Sequence, residues 1–146
     1  MTIPSLPAPL VSLLGERGRG SLVTLKADGR PQLSNVDYCV DPGTLTVRLS
    51  TTADRAKAAN LRRDPRVSLK VDGPGGGAYA VFEGEAELSP VAAQPDDATV
   101  EELIEVYRAV RGEDHPDWDD YRRAMVADRR LVVRFRAGHA YGWAPA

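Results

Sequence analysis

The stretch RLSTTADRAKAANLRRDPR, residues 48–66, predicts a strand that passes through a Ser/Thr cluster into a short basic helix. Residues 44–50 alternate polar and apolar side chains, as a half-buried strand does. Residues 53–63 are rich in Ala, Leu, Lys and Arg, which are good helix formers. We expect the helix to end at Asp64, because the residue before a proline is pushed out of the helical region.

The start of this helix is a candidate anion site. A helix start carries unpaired N–H groups and the positive end of the peptide dipoles, so a phosphate can bind there. Ser50 and Thr51 supply hydroxyl groups, and Arg55 and Lys57 would add positive charge in the first turn. The alternative is a solvated surface helix whose basic residues only keep it soluble.

Length and composition limit the class of protein. With 146 residues, the chain is expected to form one domain, residues 1–146. Its 19 basic and 21 acidic residues argue against a nucleic-acid or membrane-surface partner. A single cysteine and two distant histidines offer neither a disulfide nor a metal site. The N-terminus lacks the pattern of a secretory signal and no apolar run reaches bilayer length, so we expect a cytoplasmic protein.

The remaining pattern predicts an α+β fold, mainly β, in which a six-stranded antiparallel barrel carries flanking helices. Asp28-Gly29 signals a tight hairpin, and Gly84 indicates a bulge or a close backbone approach. Residues 139–143 are interpreted as a tail. The predicted strands are residues 20–27, 31–40, 44–50, 67–72, 78–88 and 130–136. The predicted helices are residues 6–17, residues 53–63, one capped by Asp96-Asp97, and one that contains Trp118, Tyr121 and Met125.

The usual catalytic motifs are missing from the chain. Neither a dinucleotide fingerprint, a phosphate loop nor a nucleophile elbow is present. Polar candidates are the run from Gln32 to Asn35, whose side chains could reach a cleft beside the basic helix, together with Tyr79 and His139. Tyr79 is equally explained as sheet core and His139 as a surface histidine.

Four segments carry a likeness to known proteins: LKADGRPQLSN (25–35), STTADRAKAANLRRDPR (50–66), YAVFEGEAEL (79–88) and DWDDYRRAMV (117–126). Together they resemble the split β-barrel family of flavin- and deazaflavin-binding proteins related to pyridoxamine-phosphate oxidase. More narrowly, they resemble the actinobacterial reductases that use coenzyme F-420. The likeness covers nearly the whole chain, and RAKAANLRRDP, residues 55–65, is its specific part.

The resemblance implies a homodimer of split barrels with one cofactor in each of two clefts at the subunit interface. It places the cofactor phosphate on residues 50–60, mainly on Arg55 and Lys57. It places Gln32, Ser34 and Asn35 along the deazaflavin ring system. The supporting phosphate contacts are Ser50, Thr51, Ala56 and Asn60. The contacts from the partner chain are Gly77, Ala78 and Tyr79, and His139 is also counted as a cofactor contact. Relatives can carry a bulky aromatic at the position of Gly77, so the cleft here is expected to be more open.

The activity implied is hydride transfer from reduced coenzyme F-420 to an electron-poor small organic acceptor, such as an unsaturated carbonyl or a quinone. No catalytic residue is assigned, since Tyr79, His139 or solvent could each supply a proton. Arg62, Arg63 and Arg66 would suit the polyglutamate tail of the cofactor or could be plain surface charge. Two alternatives remain: an oxidase or reductase that uses flavin mononucleotide (FMN) and acts on a pyridoxine or pyridoxamine phosphate, and a non-catalytic deazaflavin carrier.

Overall fold

The computed structural model describes residues 5–145, in which it forms seven strands, four α-helices and one 3₁₀ helix at Pro74–Gly76. Residues 1–4, part of the segment from which we predicted no secretory signal, lie outside the described residues, as does residue 146. In chain order the elements are α1 (Ala8–Leu14), β1 (Arg17–Leu25), β2 (Pro31–Asp41), β3 (Thr46–Thr52), α2 (Ala56–Arg63), β4 (Arg66–Asp72), β5 (Tyr79–Leu88), α3 (Ala98–Arg111), α4 (Trp118–Ala127), β6 (Arg130–Arg136) and β7 (His139–Trp143).

Six of the strands close into an antiparallel barrel in the order β4-β1-β2-β3-β6-β5, and β5 pairs back to β4. The seventh strand, β7, is added to β5 outside this ring. The predicted α+β fold with a six-stranded split barrel is therefore confirmed. The predicted hairpin at Asp28-Gly29 joins β1 to β2, and Gly29 takes the positive φ of 86° that this turn requires.

The barrel interior is a packed apolar core. Its strands direct alternate side chains inward, as the two-residue period of a strand demands. Helix α1 closes the core with Leu14, whose carbonyl oxygen accepts a hydrogen bond of 2.7 Å from the Tyr38 hydroxyl. Fully buried side chains come from four different strands: Leu22, Leu49, Leu69 and Phe82.

A second, smaller core lies between the barrel and the pair of helices α3 and α4. Val100, Leu103 and Ile104 of α3 pack there with Val132 of β6. The Asp97 carboxylate caps α3 by accepting a hydrogen bond of 2.8 Å from the Val100 N–H. The apolar stripes of these two helices were predicted to be core packing, and for these residues that is confirmed. In residues 5–145, no helix is both long enough and apolar enough to cross a bilayer.

Strand β5 changes partner beside Gly84. It pairs with β7 over residues 79–83 and with β6 over residues 86–88. A side chain on Gly84 would collide with the carbonyl oxygen of Arg136 and with the ring of Phe135. The predicted close backbone approach at Gly84 is therefore confirmed.

Residues 139–143 are a strand, so their interpretation as a tail was wrong. In β7, His139 is paired with Glu83 and Trp143 with Tyr79. The physical reason is a contact that is distant in sequence. Strand β6 pairs with β5 only over residues 86–88, so the backbone groups at residues 79–83 need another partner, which β7 supplies.

Helix α2 begins at Ala56, three residues later than predicted. Ser50 and Thr51 belong to β3, because pairing with β6 holds them in an extended conformation. The hydroxyls of this segment therefore do not cap the helix. Arg55 is the N-cap with an extended backbone, and Lys57 is the second helical residue. The helix ends at Arg63, as expected before Asp64-Pro65.

Candidate functional site

The main cleft opens where β2 and β3 separate. The two strands are paired only from Cys39 to Asp41 and from Thr46 to Arg48. Beyond that point, residues 34–37 and 50–52 line a cleft of about 600 Å³. On their other sides the strands stay bound to β1 and β6. The facing strand edges therefore leave backbone N–H and C=O groups for a ligand.

Helices α3 and α4 form the opposite wall of the cleft. Their contribution is mainly apolar or aromatic, and includes Tyr107, Tyr121 and Met125. The rings of Tyr107 and Tyr121 pack edge to face with centroids 5.2 Å apart. The Tyr121 hydroxyl donates to the carbonyl oxygen of Leu103 at 3.0 Å, and burial raises its pKa to about 12. The cleft thus has one polar wall of strands and one aromatic wall of helices.

Six of the residues predicted to bind the cofactor lie together around this cleft. They come from three elements of the structure, with α2 contributing through its first turn. The six are Ser34, Asn35, Ser50, Thr51, Arg55 and Lys57. Their role in binding stays a prediction.

The cleft is strongly cationic. Arg55 and Lys57 are joined there by Arg111 and Arg130. Burial is the largest cause that lowers the pKa of Lys57, and the charges of Arg55 and Arg130 lower it further. Asp37 is the one acidic lining residue in the described chain, and it already binds the Arg19 guanidinium at 2.8 Å. An anionic ligand would therefore meet several cations that lack a carboxylate partner in the cleft.

Ser34 presents a polar atom that the folded chain leaves unsatisfied. Its Oγ is buried in the described structure and has no hydrogen-bond partner. A buried polar group costs free energy unless it is paired. Ser34 also lines the cleft, so a ligand bound there is a candidate partner for this hydroxyl.

Gln32 and Asn60 do not line the cleft, although both were predicted as cofactor contacts. The buried Asn60 amide donates to Thr24 Oγ1 at 3.0 Å, and Thr24 donates to Gln32 Oε1 at 3.2 Å. Arg63 also donates to Asn60 Oδ1. These contacts explain Asn60 without a ligand, and they tie α2 to β1 and β2. Ala56 does not line the cleft either, but its N–H lies at the start of α2.

The other four predicted residues lie on the β5 and β7 side of the barrel, outside this cleft. Ala78 is buried and Gly77 is exposed, with the Trp143 ring 3.8 Å from where a Cβ would stand. Tyr79 has the Lys70 ammonium 5.8 Å from its ring centroid. His139 lies 3.8 Å from the Glu83 carboxylate. One chain therefore does not bring these four residues to its own cleft.

The three arginines suggested for a cofactor tail are engaged elsewhere. Arg62 donates to the carbonyl oxygen of Ala53 and Arg63 to that of Leu25. Arg66 binds the Asp64 carboxylate, which holds the pKa of that group at about 2. None of the three lines the main cleft.

Sequence reasoning missed Arg130 and the aromatic wall. Tyr107 and Tyr121 belong to the apolar stripes of their helices, and this spacing indicates core packing. The spacing does not indicate that both side chains also line the cleft. Arg130 gave no distinctive signal, because its strand also carries Arg134 and Arg136. Its place in the cleft depends on pairing with Thr52, which is distant in sequence.

Comparison with known proteins places the chain in a family. A sequence model described as pyridoxamine 5'-phosphate oxidase matches residues 6–144. The chain belongs to the pyridoxamine 5'-phosphate oxidase family. The match spans nearly the full length and includes every element that forms the cleft. The family is one of split-barrel oxidoreductases.

Solved structures show the same architecture. The conserved hypothetical protein Rv2991 of Mycobacterium tuberculosis is 27% identical, with a TM-score of 0.70 over 96% of this chain and 89% of its own. An F-420 reductase is 24% identical, with a TM-score of 0.66 over 93% of this chain and 98% of its own. A FAD-binding protein of Mesorhizobium loti is 19% identical, with a TM-score of 0.62 over 90% and 87%. The last two likenesses show a shared fold.

Proposed function

We propose that this protein is an oxidoreductase that transfers a hydride from reduced coenzyme F-420 to an electron-poor small organic acceptor. The observation that carries the proposal is the cleft between β2 and β3, in which a cationic end at Arg55 and Lys57 adjoins two unpaired strand edges. A phosphate fits the cationic end, and a planar ring with alternating donors and acceptors fits the strand edges. The choice of cofactor is supported by the solved structure with the same fold that is described as an F-420 reductase.

The chain's own residues would bind and orient the cofactor. Arg55 and Lys57 hold the phosphate, with the first N–H groups of α2 beside them. Ser34 offers its unsatisfied hydroxyl to the ring system, and Tyr107 and Met125 exclude water from the opposite side. When bound, the reduced deazaflavin supplies the hydride. The protein contributes orientation and charge complementarity.

We assign no side-chain proton donor. Tyr79 and His139 lie outside the cleft of their own chain. Tyr121 lines the cleft, but its hydroxyl already donates to Leu103, and its raised pKa makes it a poor acid at neutral pH. Protonation of the product by solvent fits this arrangement.

A homodimer is part of the proposal, because one face of the barrel is a sheet with exposed apolar side chains. Directly opposed residues of antiparallel strands share a face. One such row runs from Asn35 at the cleft through Ser21, Lys70 and Val81 to Tyr141. The large hydrophobic residues that are exposed in residues 5–145 belong to this face: Leu33 (60%), Tyr141 (48%) and Trp143 (58%). A second copy packed here could bring its own residues 77–79 to the edge of this cleft.

The first experiment is a parallel titration of the apo protein with coenzyme F-420 and with FMN, followed by cofactor fluorescence at low and moderate salt. We expect tighter, salt-sensitive binding of the deazaflavin, because the cleft gathers cations that salt would screen. The double variant Arg55→Ala, Lys57→Ala should lose this binding, and Lys26→Ala on the exposed hairpin should not. Unchanged affinity in the double variant would move the phosphate site elsewhere.

A second candidate is an enzyme that uses FMN, and the family match favours it. The same cationic end accepts the phosphate of either cofactor. Tight binding of FMN alone in the titration would select this candidate over the deazaflavin reductase. Binding of coenzyme F-420 without turnover of any reducible acceptor would instead indicate a carrier.

A further inference from the structure

Arg130 lines the cleft together with Arg55 and Lys57. It is the first residue of β6 and is paired with Thr52 of β3. Its Nη1 donates a long hydrogen bond of 3.3 Å to Ser50 Oγ. Its Nε is buried and has no hydrogen-bond partner in the described chain. Arg130 therefore lines a ligand cleft and carries a buried N–H that lacks an acceptor.

The charges around Arg130 point to an anion as that acceptor. Arg130 and Arg55 both lower the pKa of Lys57, so the three cations lie close enough to repel one another. The salt bridges within residues 5–145 include none of the three. Like charges that converge repel one another, and an anion bound between them would relieve that repulsion.

Neighbouring arginines do not compete for this role. Arg62, Arg63 and Arg66 are bound to acceptors of their own chain. Arg129 follows α4 and lines an adjacent groove, which Arg55 and Arg130 also line together with Asp54 and Asp128. Arg130 differs from all four because it lines the main cleft and retains an unsatisfied donor.

We propose that Arg130 is a third cationic ligand of the phosphate group, and that it completes the anion site begun by Arg55 and Lys57. The planar guanidinium can present two N–H groups to phosphate oxygens, which an ammonium cannot do. This inference rests on the proposed function for the identity of the cofactor. The anion site itself depends only on the three side chains and Ser50.

The test compares Arg130→Gln, Arg130→Lys and the matched control Arg129→Gln. Each folded variant is titrated with coenzyme F-420 by fluorescence. We expect the Gln variant at position 130 to bind about 10- to 100-fold more weakly, because a charge-assisted hydrogen bond is lost. The Lys variant should be intermediate, since it keeps the charge and loses the planar fork. The control should bind like wild type. Wild-type affinity in Arg130→Gln would overturn the proposal and leave the proposed function intact.

A second readout separates this inference from the proposed function. Inorganic phosphate is added to each apo protein and the shift in melting temperature is measured. Phosphate should stabilise the wild type and Arg129→Gln, and should stabilise Arg130→Gln much less. If wild type binds neither coenzyme F-420 nor FMN but shows this phosphate pattern, the anion site stands and the proposed function fails. Equal phosphate shifts in all variants would overturn the anion site at Arg130.

Discussion

At the scale of single residues, Lys57 is expected to weaken the apo fold while it strengthens ligand binding. Its ammonium is half-buried and faces Arg55 and Arg130. We predict that Lys57→Gln leaves the free energy of unfolding at pH 7 unchanged or raises it by up to about 1 kcal/mol. The same variant should bind the cofactor at least about tenfold more weakly. Lys26→Gln, on the exposed hairpin, should change neither quantity.

The pH dependence of that prediction follows from the lowered pKa of Lys57. The ordinary pKa of lysine is 10.5, and the folded chain holds Lys57 below it. Between the pKa of Lys57 in the folded chain and 10.5, the unfolded chain binds more protons than the folded chain. The Lys57 contribution to the wild-type free energy of unfolding therefore becomes more favourable as pH rises through this window. The excess in free energy of unfolding of Lys57→Gln over wild type should therefore be largest below this window and shrink as pH approaches 10.5. Urea unfolding of both proteins from pH 7 to pH 10.5 measures this difference. A difference that grows with pH would contradict the prediction.

Asn60 and Asn35 offer a paired test of structure against binding. Asn60 is buried and bound to Thr24, whereas Asn35 is exposed and lines the cleft. We predict that Asn60→Ala lowers the free energy of unfolding by about 1–3 kcal/mol and leaves the affinity of the folded protein unchanged. Asn35→Ala should change stability by less than about 0.5 kcal/mol and weaken cofactor binding. Urea unfolding and fluorescence titration on both variants decide this, and the reverse pattern would make Asn60 a ligand.

At the scale of elements, Gly84 is required by the change of partner along β5. A methyl group there would meet the backbone of Arg136, which cannot move without disturbing β6. We predict that Gly84→Ala destabilises the fold by about 1–3 kcal/mol. Gly77→Ala is the matched control, since its methyl group would only touch the Trp143 ring, and it should cost less than about 0.5 kcal/mol. Thermal unfolding compares the two, and equal melting temperatures would show that the barrel relaxes around Gly84.

How well an element could be predicted depended on where its stabilising contacts lie. The strand from Arg130 to Arg136 was predicted with the observed bounds, because its alternating pattern is local. Helix α2 was predicted to start too early, since Ala53 favours a helix but its N–H is bound by the Arg129 carbonyl oxygen across the sheet. Strand β7 was missed because five residues that include a glycine show little pattern, and only the edge of β5 makes them a strand.

How well the residues of the candidate site could be predicted also depends on whether their contacts are local in sequence. Ser50, Arg55 and Lys57 are close in sequence, so one segment indicated a cationic site that the structure brings to the cleft. Arg130 and Tyr107 reach that cleft only through strand pairing and helix packing, which a local pattern does not report. Expected contacts at residues 77–79 depend on a second chain and stay a prediction.

At the scale of the whole molecule, charge is distributed unevenly. The chain carries a net charge of −2, yet Arg55, Lys57, Arg111 and Arg130 all face one cleft. A field of this kind favours the approach of small anions while the overall charge discourages nucleic acid. Asn35 lines this cleft and also belongs to the sheet face that carries the exposed apolar side chains. This position suits the homodimer proposed above.

The last prediction concerns that second chain. We predict that the wild type sediments as a dimer and that Leu33→Glu sediments as a monomer, because a charge on the exposed apolar face opposes packing of two copies. The monomer should bind coenzyme F-420 about tenfold or more weakly, since its cleft lacks the partner's contacts. Arg123→Glu on exposed α4 is the control and should stay dimeric with wild-type affinity. A wild type that binds the cofactor as a monomer at micromolar concentration would show that one chain forms the complete site.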